Sequence, residues 1–162
     1  MKQLFSILIL AIALSFNGCK PDLEEIGPSY GAGEGIYGSW ELSSVNQVDL
    51  KQPIPESRNI SAFFNADASR KMQIKFEQAN NAYSILQPGA LPRTFGTSGT
   101  WKFDTLPFPT KLYFFTSNND TVMTPIKNMV RENDAFFGFN VVRSDSCGSA
   151  YVRYEYTFKR LN

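Results

Sequence analysis

The chain has 162 residues, 43% of them hydrophobic and 14% aromatic, with 16 Lys and Arg against 15 Asp and Glu and no histidine. That composition excludes an intrinsically disordered chain, and the balanced charge gives no basic surplus for nucleic acid. The missing histidine removes Ser-His-Asp and Cys-His catalysis, together with the commonest general base and metal ligand.

Residues 1–18 read as a secretory leader: Lys2 supplies the positive start, and Leu4 to Leu14 form an apolar run interrupted only by Ser6. The run is too short to cross a bilayer as a helix, which takes about 20 apolar residues. Gly18 is the small residue that a signal peptidase needs before its cut, and Cys19 follows it directly. The run Leu14-Ser15-Phe16-Asn17-Gly18-Cys19 resembles the lipobox of bacterial lipoproteins, with Phe16 and Asn17 in places that usually hold leucine and a small residue. The resemblance implies that the Cys19 thiol receives a diacylglyceryl group and becomes the start of the mature protein. Two or more acyl chains anchor stably, where one holds only marginally.

Removing residues 1–18 leaves 144, enough for one domain with a real core. Without Lys2 the mature charge is 15 basic against 15 acidic residues. Residues 19–35 are expected to form a flexible tether, since residues 20–35 hold two prolines and four glycines. Its reach is roughly 20–25 Å. Asp22, Glu24 and Glu25 resemble the acidic signal that routes some lipoproteins to the outer face of the outer membrane. The expected location is therefore the outer membrane, with the cell surface favoured over the periplasmic face.

From Ile36 to Asn162 the pattern is period-two, and one β-domain is expected. Met72, Ile74 and Phe76 alternate with Lys71, Gln73, Lys75 and Glu77. Near the end, Val152, Tyr154, Tyr156 and Phe158 alternate with Arg153, Glu155 and Lys159. Further strands are expected over residues 38–48, 82–86, 99–104, 111–116, 122–130 and 135–143, which makes eight. Asn80-Asn81, Asn118-Asn119-Asp120 and Glu132-Asn133-Asp134 supply turns, because Asn and Asp tolerate positive φ. Residues 87–97 form a wider loop, and Leu106-Pro107-Phe108-Pro109 a non-helical crossing. Pro55 to Ala68 is compatible with one short helix between the first two strands, with Ile60, Phe63 and Phe64 as its buried stripe. The expected fold is all-β, an eight-stranded antiparallel up-and-down barrel, because closure removes exposed edges. A two-sheet sandwich is the alternative.

Gly35-Ile36-Tyr37-Gly38-Ser39-Trp40-Glu41-Leu42-Ser43-Ser44-Val45 resembles the opening strand of lipocalin-like domains, whose signature is Gly-x-Trp. With the leader and Gly99-Thr100-Trp101-Lys102-Phe103-Asp104, the chain is similar to small lipocalin-like lipoproteins of unknown function in some Gram-negative bacteria. The likeness covers most of the body by pattern and two short motifs by residue. It implies an up-and-down barrel and small-ligand binding, with no settled substrate. The inserted helix and the plain C-terminal strand depart from secreted lipocalins, which place a helix after the barrel.

Chemistry-bearing constellations are few. There is no cysteine pair for zinc and no phosphate-cradling Gly-x-x-x-x-Gly-Lys loop, and Gly31 to Gly35 belongs to the tether. Asp104, Asp120, Glu132, Asp134 and Asp145 fall mostly in turns, where acids are solvated rather than paired for glycoside chemistry. Asn118-Asn119-Asp120 reads as a turn before it reads as a calcium loop. Cys147 lies in Ser144-Asp145-Ser146-Cys147-Gly148-Ser149, a turn with neither a partner cysteine nor a histidine. No enzyme activity, cofactor or metal is expected. Trp40, Phe76, Trp101, Phe139, Tyr154 and Tyr156 are the candidate lining of a cavity for a small hydrophobic or glycan-derived ligand. Against that stands a barrel filled solid by the same rings. The expected function is a membrane-anchored, non-enzymatic envelope module that binds such a ligand. The alternative is an accessory lipoprotein that docks an envelope protein through its outer surface.

Overall fold

A computed structural model of the chain describes residues 34–64, 71–86, 95–128 and 130–161. The leader, Cys19 and residues 19–33 of the expected tether lie outside them. The described elements run β1 (Gly38–Asp49), β2 (Glu56–Asn59), α1 (Ser61–Phe64), β3 (Gln73–Phe76), β4 (Ala82–Leu86), β5 (Ser98–Phe103), β6 (Lys111–Thr116), β7 (Thr121–Pro125), β8 (Phe136–Ser144) and β9 (Ala150–Leu161). Hydrogen-bonded neighbours follow the order β7-β6-β5-β4-β3-β1-β9-β8, and β2 pairs β1 off this path. Every pairing is antiparallel. The outer strands of that order meet through an Ile126–Phe139 bridge and the Lys127 N–H donating to the Gly138 carbonyl at 2.8 Å. Eight strands therefore form a nearly closed up-and-down barrel.

The alternation that the sequence shows is the alternation that folds. Met72, Ile74 and Phe76 are each 1% exposed, and Phe158 and Tyr156 are buried on the same inner face. The Asn80-Asn81 turn joins β3 to β4 with both residues at positive φ, and Asn119 takes the same conformation between β6 and β7. The sixth expected strand, residues 122–130, is shorter in the structure. The Ile126 N–H still donates to the Thr110 carbonyl at 2.9 Å, and from Ile126 and Lys127 the chain turns to meet β8.

Two features depart from simple period-two reading. In β1 the register against β9 shifts between Leu42 and Ser44, a bulge. One extra residue reverses the parity, so Leu42 and Val45, three apart, both point inward and are fully buried. The second is the segment 55–68, in which the expected short helix is present as the turn α1 and residues 65–68 lie outside the described ones. Its first part is β2, which pairs Asn46–Asp49 of β1, because β3 covers only Gly38–Glu41 of that edge and the remaining backbone groups need partners. Helix α1 is a single turn. Asn59 Oδ1 accepts the Ser61 N–H at 3.0 Å, and Ser61 Oγ accepts the Val45 N–H at 2.9 Å, pinning the turn to the barrel. Of the expected stripe, Ile60 is buried and Phe64 partly so, while Phe63 is 75% exposed.

The barrel has two unlike ends. At one, Glu34–Ile36 forms a 3-10 turn that tucks the last residues of the expected tether under the strands, with Gly35 buried. The packed body thus begins before Ile36. A Cβ on Gly35 would run into the Val130 carbonyl, so only glycine allows this approach. Gly38 sits at φ 117°, which only glycine adopts freely; it turns the chain from the plug into β1. Trp40 Nε1 donates to the Ile36 carbonyl at 2.7 Å. The Arg160 guanidinium lies 4.3 Å from the Trp40 ring centroid and donates to the carbonyls of Gly35, Tyr37 and Asp134 at 2.6, 3.0 and 3.1 Å. That end is plugged.

Candidate functional site

The interior changes character along the barrel axis. On β8, Phe137, Phe139, Val141 and Arg143 share one face; on β9, Phe158, Tyr156 and Tyr154 do the same. From the plugged end upward the inward side chains therefore pass from phenylalanine to tyrosine and then to arginine. Below Tyr156 the rings pack against one another. Phe139 packs against Phe95, Phe114, Phe137, Tyr156 and Phe158 at centroid distances of 5.4 to 5.8 Å. Phe76 meets Trp101, Phe114 and Phe137 at 5.5 to 6.1 Å.

Above Tyr156 the filling stops, and a cavity of about 340 Å³ opens. Strands β1, β8 and β9 contribute Gln47, Val141, Arg143, Tyr154 and Tyr156, while the segment through β2 and α1 contributes Arg58, Ile60, Phe63 and Phe64. The Phe64 ring stands edge-on to Tyr156 at 6.1 Å, joining the cover to the floor. Arg58 Nη2 donates to Gln47 Oε1 at 3.0 Å, which ties β2 to β1 across the cavity rim. A polar hollow of about 280 Å³ adjoins it, lined by Asp49 and Glu56 and sharing Gln47 and Arg58.

The six candidate ring residues divide between these regions. Trp40, Phe76, Trp101 and Phe139 are at most 4% exposed and belong to the packed core. Trp101 contacts Tyr37, Phe76 and Phe103, and its buried Nε1 has no hydrogen-bond acceptor within reach among the described residues. Tyr154 and Tyr156 alone come together on the cavity. Arg58, Arg143, Gln47, Phe63, Phe64 and Val141 complete its lining without having been singled out as ligand contacts. Arg143 was within reach of pattern reading, since it continues the Phe137–Phe139–Val141 parity by one step. Arg58 was not, because its segment reads as helix.

Electrostatics at the floor are those of a dry site. Burial, with Tyr154 alongside, pushes the Tyr156 phenol up to about 12, and the Arg143 guanidinium offsets part of that rise. Tyr83, lower in the barrel, is pushed up to about 12 by burial and donates to the Phe95 carbonyl. Both phenols are thus neutral at ordinary pH, and Tyr156 offers the cavity a hydroxyl rather than a charge.

The remaining acids and the cysteine lie elsewhere. Asp104 is held well below the usual carboxylate range by the Thr110 hydroxyl and by N–H groups of Lys111 and Thr110, and it braces the loop after β5. Asp145 Oδ1 accepts the N–H groups of Cys147 and Ser149, so the exposed Cys147 sits in the β8–β9 turn. Arg131 and Asp134 close the turn before β8 on each other. Among the described residues no three acids or cysteines gather where they could hold a metal.

Comparison with known proteins gives one family match. The domain of unknown function DUF5004 matches residues 24–159. No curated protein matches the chain.

Proposed function

The chain belongs to the DUF5004 family, whose description assigns no activity, and we propose from the geometry above that it is a non-enzymatic binding module taking up a small, mainly apolar ligand at the Tyr154–Tyr156 end of the barrel. One observation carries this reading. A barrel interior packed with rings gives way to a cavity of about 340 Å³ at the Tyr154–Tyr156 end of the strands, at the small end of the range that small-molecule sites occupy, about 300–1,000 Å³. Phe63, 75% exposed on the rim, has the placement of a side chain that covers an occupant. The lipocalin-like Gly38-Ser39-Trp40 opening and the meander order agree with a carrier of this type. A hydrophobic ligand uses the aromatic wall; a glycan-derived one would use the tyrosine hydroxyls as well.

Full-length protein titrated with N-phenyl-1-naphthylamine, an uncharged apolar fluorophore, tests the reading. A saturable emission rise is expected, and Val141→Trp, which fills the cavity, should weaken it about tenfold or more while the melting temperature holds within a few degrees. Equal uptake by that variant would remove the cavity from the account.

The leader supports a lipid anchor on Cys19, and with it residence at the outer membrane, the acidic Asp22, Glu24 and Glu25 favouring the cell surface. The described chain enters the barrel at its plugged end, so a tether from Cys19 would leave the cavity at the opposite one. Radiolabelled palmitate should enter the wild-type chain and not Cys19→Ala; labelling of both would refute the anchor. A second reading, docking of an envelope protein, draws on Leu106 and Phe108, which stand 66% and 70% exposed in the loop after β5.

A further inference from the structure

Strand direction sorts the loops between the two ends of the barrel. Each strand runs antiparallel to its neighbours, and β1 leaves the plugged end at Gly38. Strand β5 therefore returns to that end, and the loop from Asp104 to Thr110 turns there before β6 departs. Ring contacts agree: Tyr37, beside the plug, lies 5.8 Å from Trp101, and Trp101 lies 5.2 Å from Phe103, the last residue of β5. The loop is braced at its base. Asp104 accepts the N–H groups of Thr110 and Lys111 at 3.0 and 3.1 Å and the Thr110 hydroxyl at 2.6 Å. The Thr105 hydroxyl donates to the Phe108 carbonyl at 3.2 Å, and Pro109 is buried. At the tip Leu106 and Phe108 stand in water, and no side chain from Thr105 to Thr110 carries a charge. Phe136, half exposed, opens β8 at the same end.

A single exposed apolar side chain needs no explanation, but two on one braced, uncharged tip favour an apolar surface that covers them. Where the chain arrives says which surface that is. Residues 19–33, fifteen in number, precede Glu34 at the plug. A chain of fifteen residues has a root-mean-square reach of roughly 20 Å when flexible and spans at most about 50 Å. The 12 residues of β1 alone run about 40 Å. An anchor on Cys19 would thus bring the plugged end to the bilayer far more readily than the opposite end, where Ile54 and Phe63 are exposed. An uncharged tip enters the headgroup and upper acyl region without desolvating a charge. We propose that Leu106 and Phe108 form a wedge that inserts in the bilayer to which Cys19 is anchored, seating the barrel on its plugged end with the cavity pointing away. This inference rests on the lipid-anchor reading and gives the two side chains a lipid occupant in place of an envelope protein.

Fluorescence quenching tests it on the full-length lipidated protein. The vesicles are phosphatidylethanolamine and phosphatidylglycerol, with a nitroxide carried high on a fraction of the acyl chains. Cys147→Ser gives a background in which an acylated Cys19 leaves no free thiol. In that background Thr105→Cys and, separately, Ile54→Cys take a thiol-reactive nitrobenzoxadiazole fluorophore. The nitroxide should cut emission at 105 by about half or more and at 54 by less than about a tenth, since a wedge sits about 5–10 Å deep. In Leu106→Ser/Phe108→Ser the quenching at 105 should fall about threefold, as the loss of two apolar side chains implies, with the melting temperature unchanged. That comparison separates insertion from mere nearness of the tether. Equal or stronger quenching at 54, or none at 105 in vesicle-bound protein, as an envelope-protein site would give, would overturn the wedge and leave the anchor standing. Undiminished quenching in the double variant would overturn the role of the two side chains. Labelling of the background, or its failure to float with the vesicles, would overturn the anchor and this inference together.

Discussion

Phe139→Ala should be the most damaging single truncation, lowering stability by about 3–5 kcal/mol. The ring is 1% exposed and touches rings from three other parts of the chain: Phe95 before β5, Phe114 on β6, and Tyr156 and Phe158 on β9. It also sits on the seam, since Phe139 forms the bridge to Ile126 that brings β7 to β8. Truncation removes the transfer free energy of the ring and opens a void that stiff aromatic neighbours cannot collapse into. Against a total stability of about 5–15 kcal/mol, the loss corresponds to a fall in melting temperature of roughly 10–25 °C. Thermal melts followed by circular dichroism would show it. Phe139→Leu, which keeps much of the volume, should cost less than half as much. A loss below about 1 kcal/mol for the alanine variant would show that the interior is not packed around this ring.

Arg160→Met should come second, at about 3 kcal/mol. Methionine keeps the length of the side chain and removes three hydrogen bonds to carbonyls together with the cation over Trp40. The carbonyls of Gly35 and Tyr37 belong to the 3-10 plug and its junction with β1, and that of Asp134 to the turn before β8, so one guanidinium ties the two together and closes the barrel end. A lysine cannot reproduce this, because three divergent acceptors need the planar fork. Arg160→Lys should therefore recover less than half of the lost stability, and Trp40 emission should shift to longer wavelength as its face becomes wetter. Wild-type stability in the lysine variant would show that charge alone, not the fork, holds the plug.

Much of this barrel is legible in the sequence, for a simple reason. A strand with one face buried must alternate, and Met72–Ile74–Phe76 and Val152–Tyr154–Tyr156–Phe158 do so without interruption. The hairpin turns are legible because Asn80, Asn81 and Asn119 pre-select the positive φ that tight turns require. What fails to show is non-local. The Leu42/Ser44 bulge has no local signature, yet it decides that Val45 rather than Ser44 faces inward. Strand β2 exists because β3 is too short to cover the edge of β1, a fact about a partner and not about Glu56–Asn59.

The cavity follows the same division. Tyr154 and Tyr156 were recognisable as inward tyrosines on a clean alternation, and they stand on it. Trp40, Phe76, Trp101 and Phe139 are inward for the same reason but lie lower, and height along the axis depends on strand stagger, which composition does not encode. Arg58 reaches the rim only because Ser61 and Asn59 end the strand in a single helical turn that folds Phe63 and Phe64 over the barrel end.

The central claim is that the Tyr154–Tyr156 end of the barrel, and not its ring-filled interior, receives a ligand. Two-dimensional NMR of the protein titrated with N-phenyl-1-naphthylamine tests it most directly, because the only two tryptophans, Trp40 and Trp101, lie in the packed core away from the cavity lining. The account predicts saturable shifts at the backbone amides of Ile60, Val141, Arg143, Tyr154 and Tyr156, with both indole N–H signals staying in place. Shifts centred on the indole signals with the Tyr154 and Tyr156 amides unmoved would contradict it.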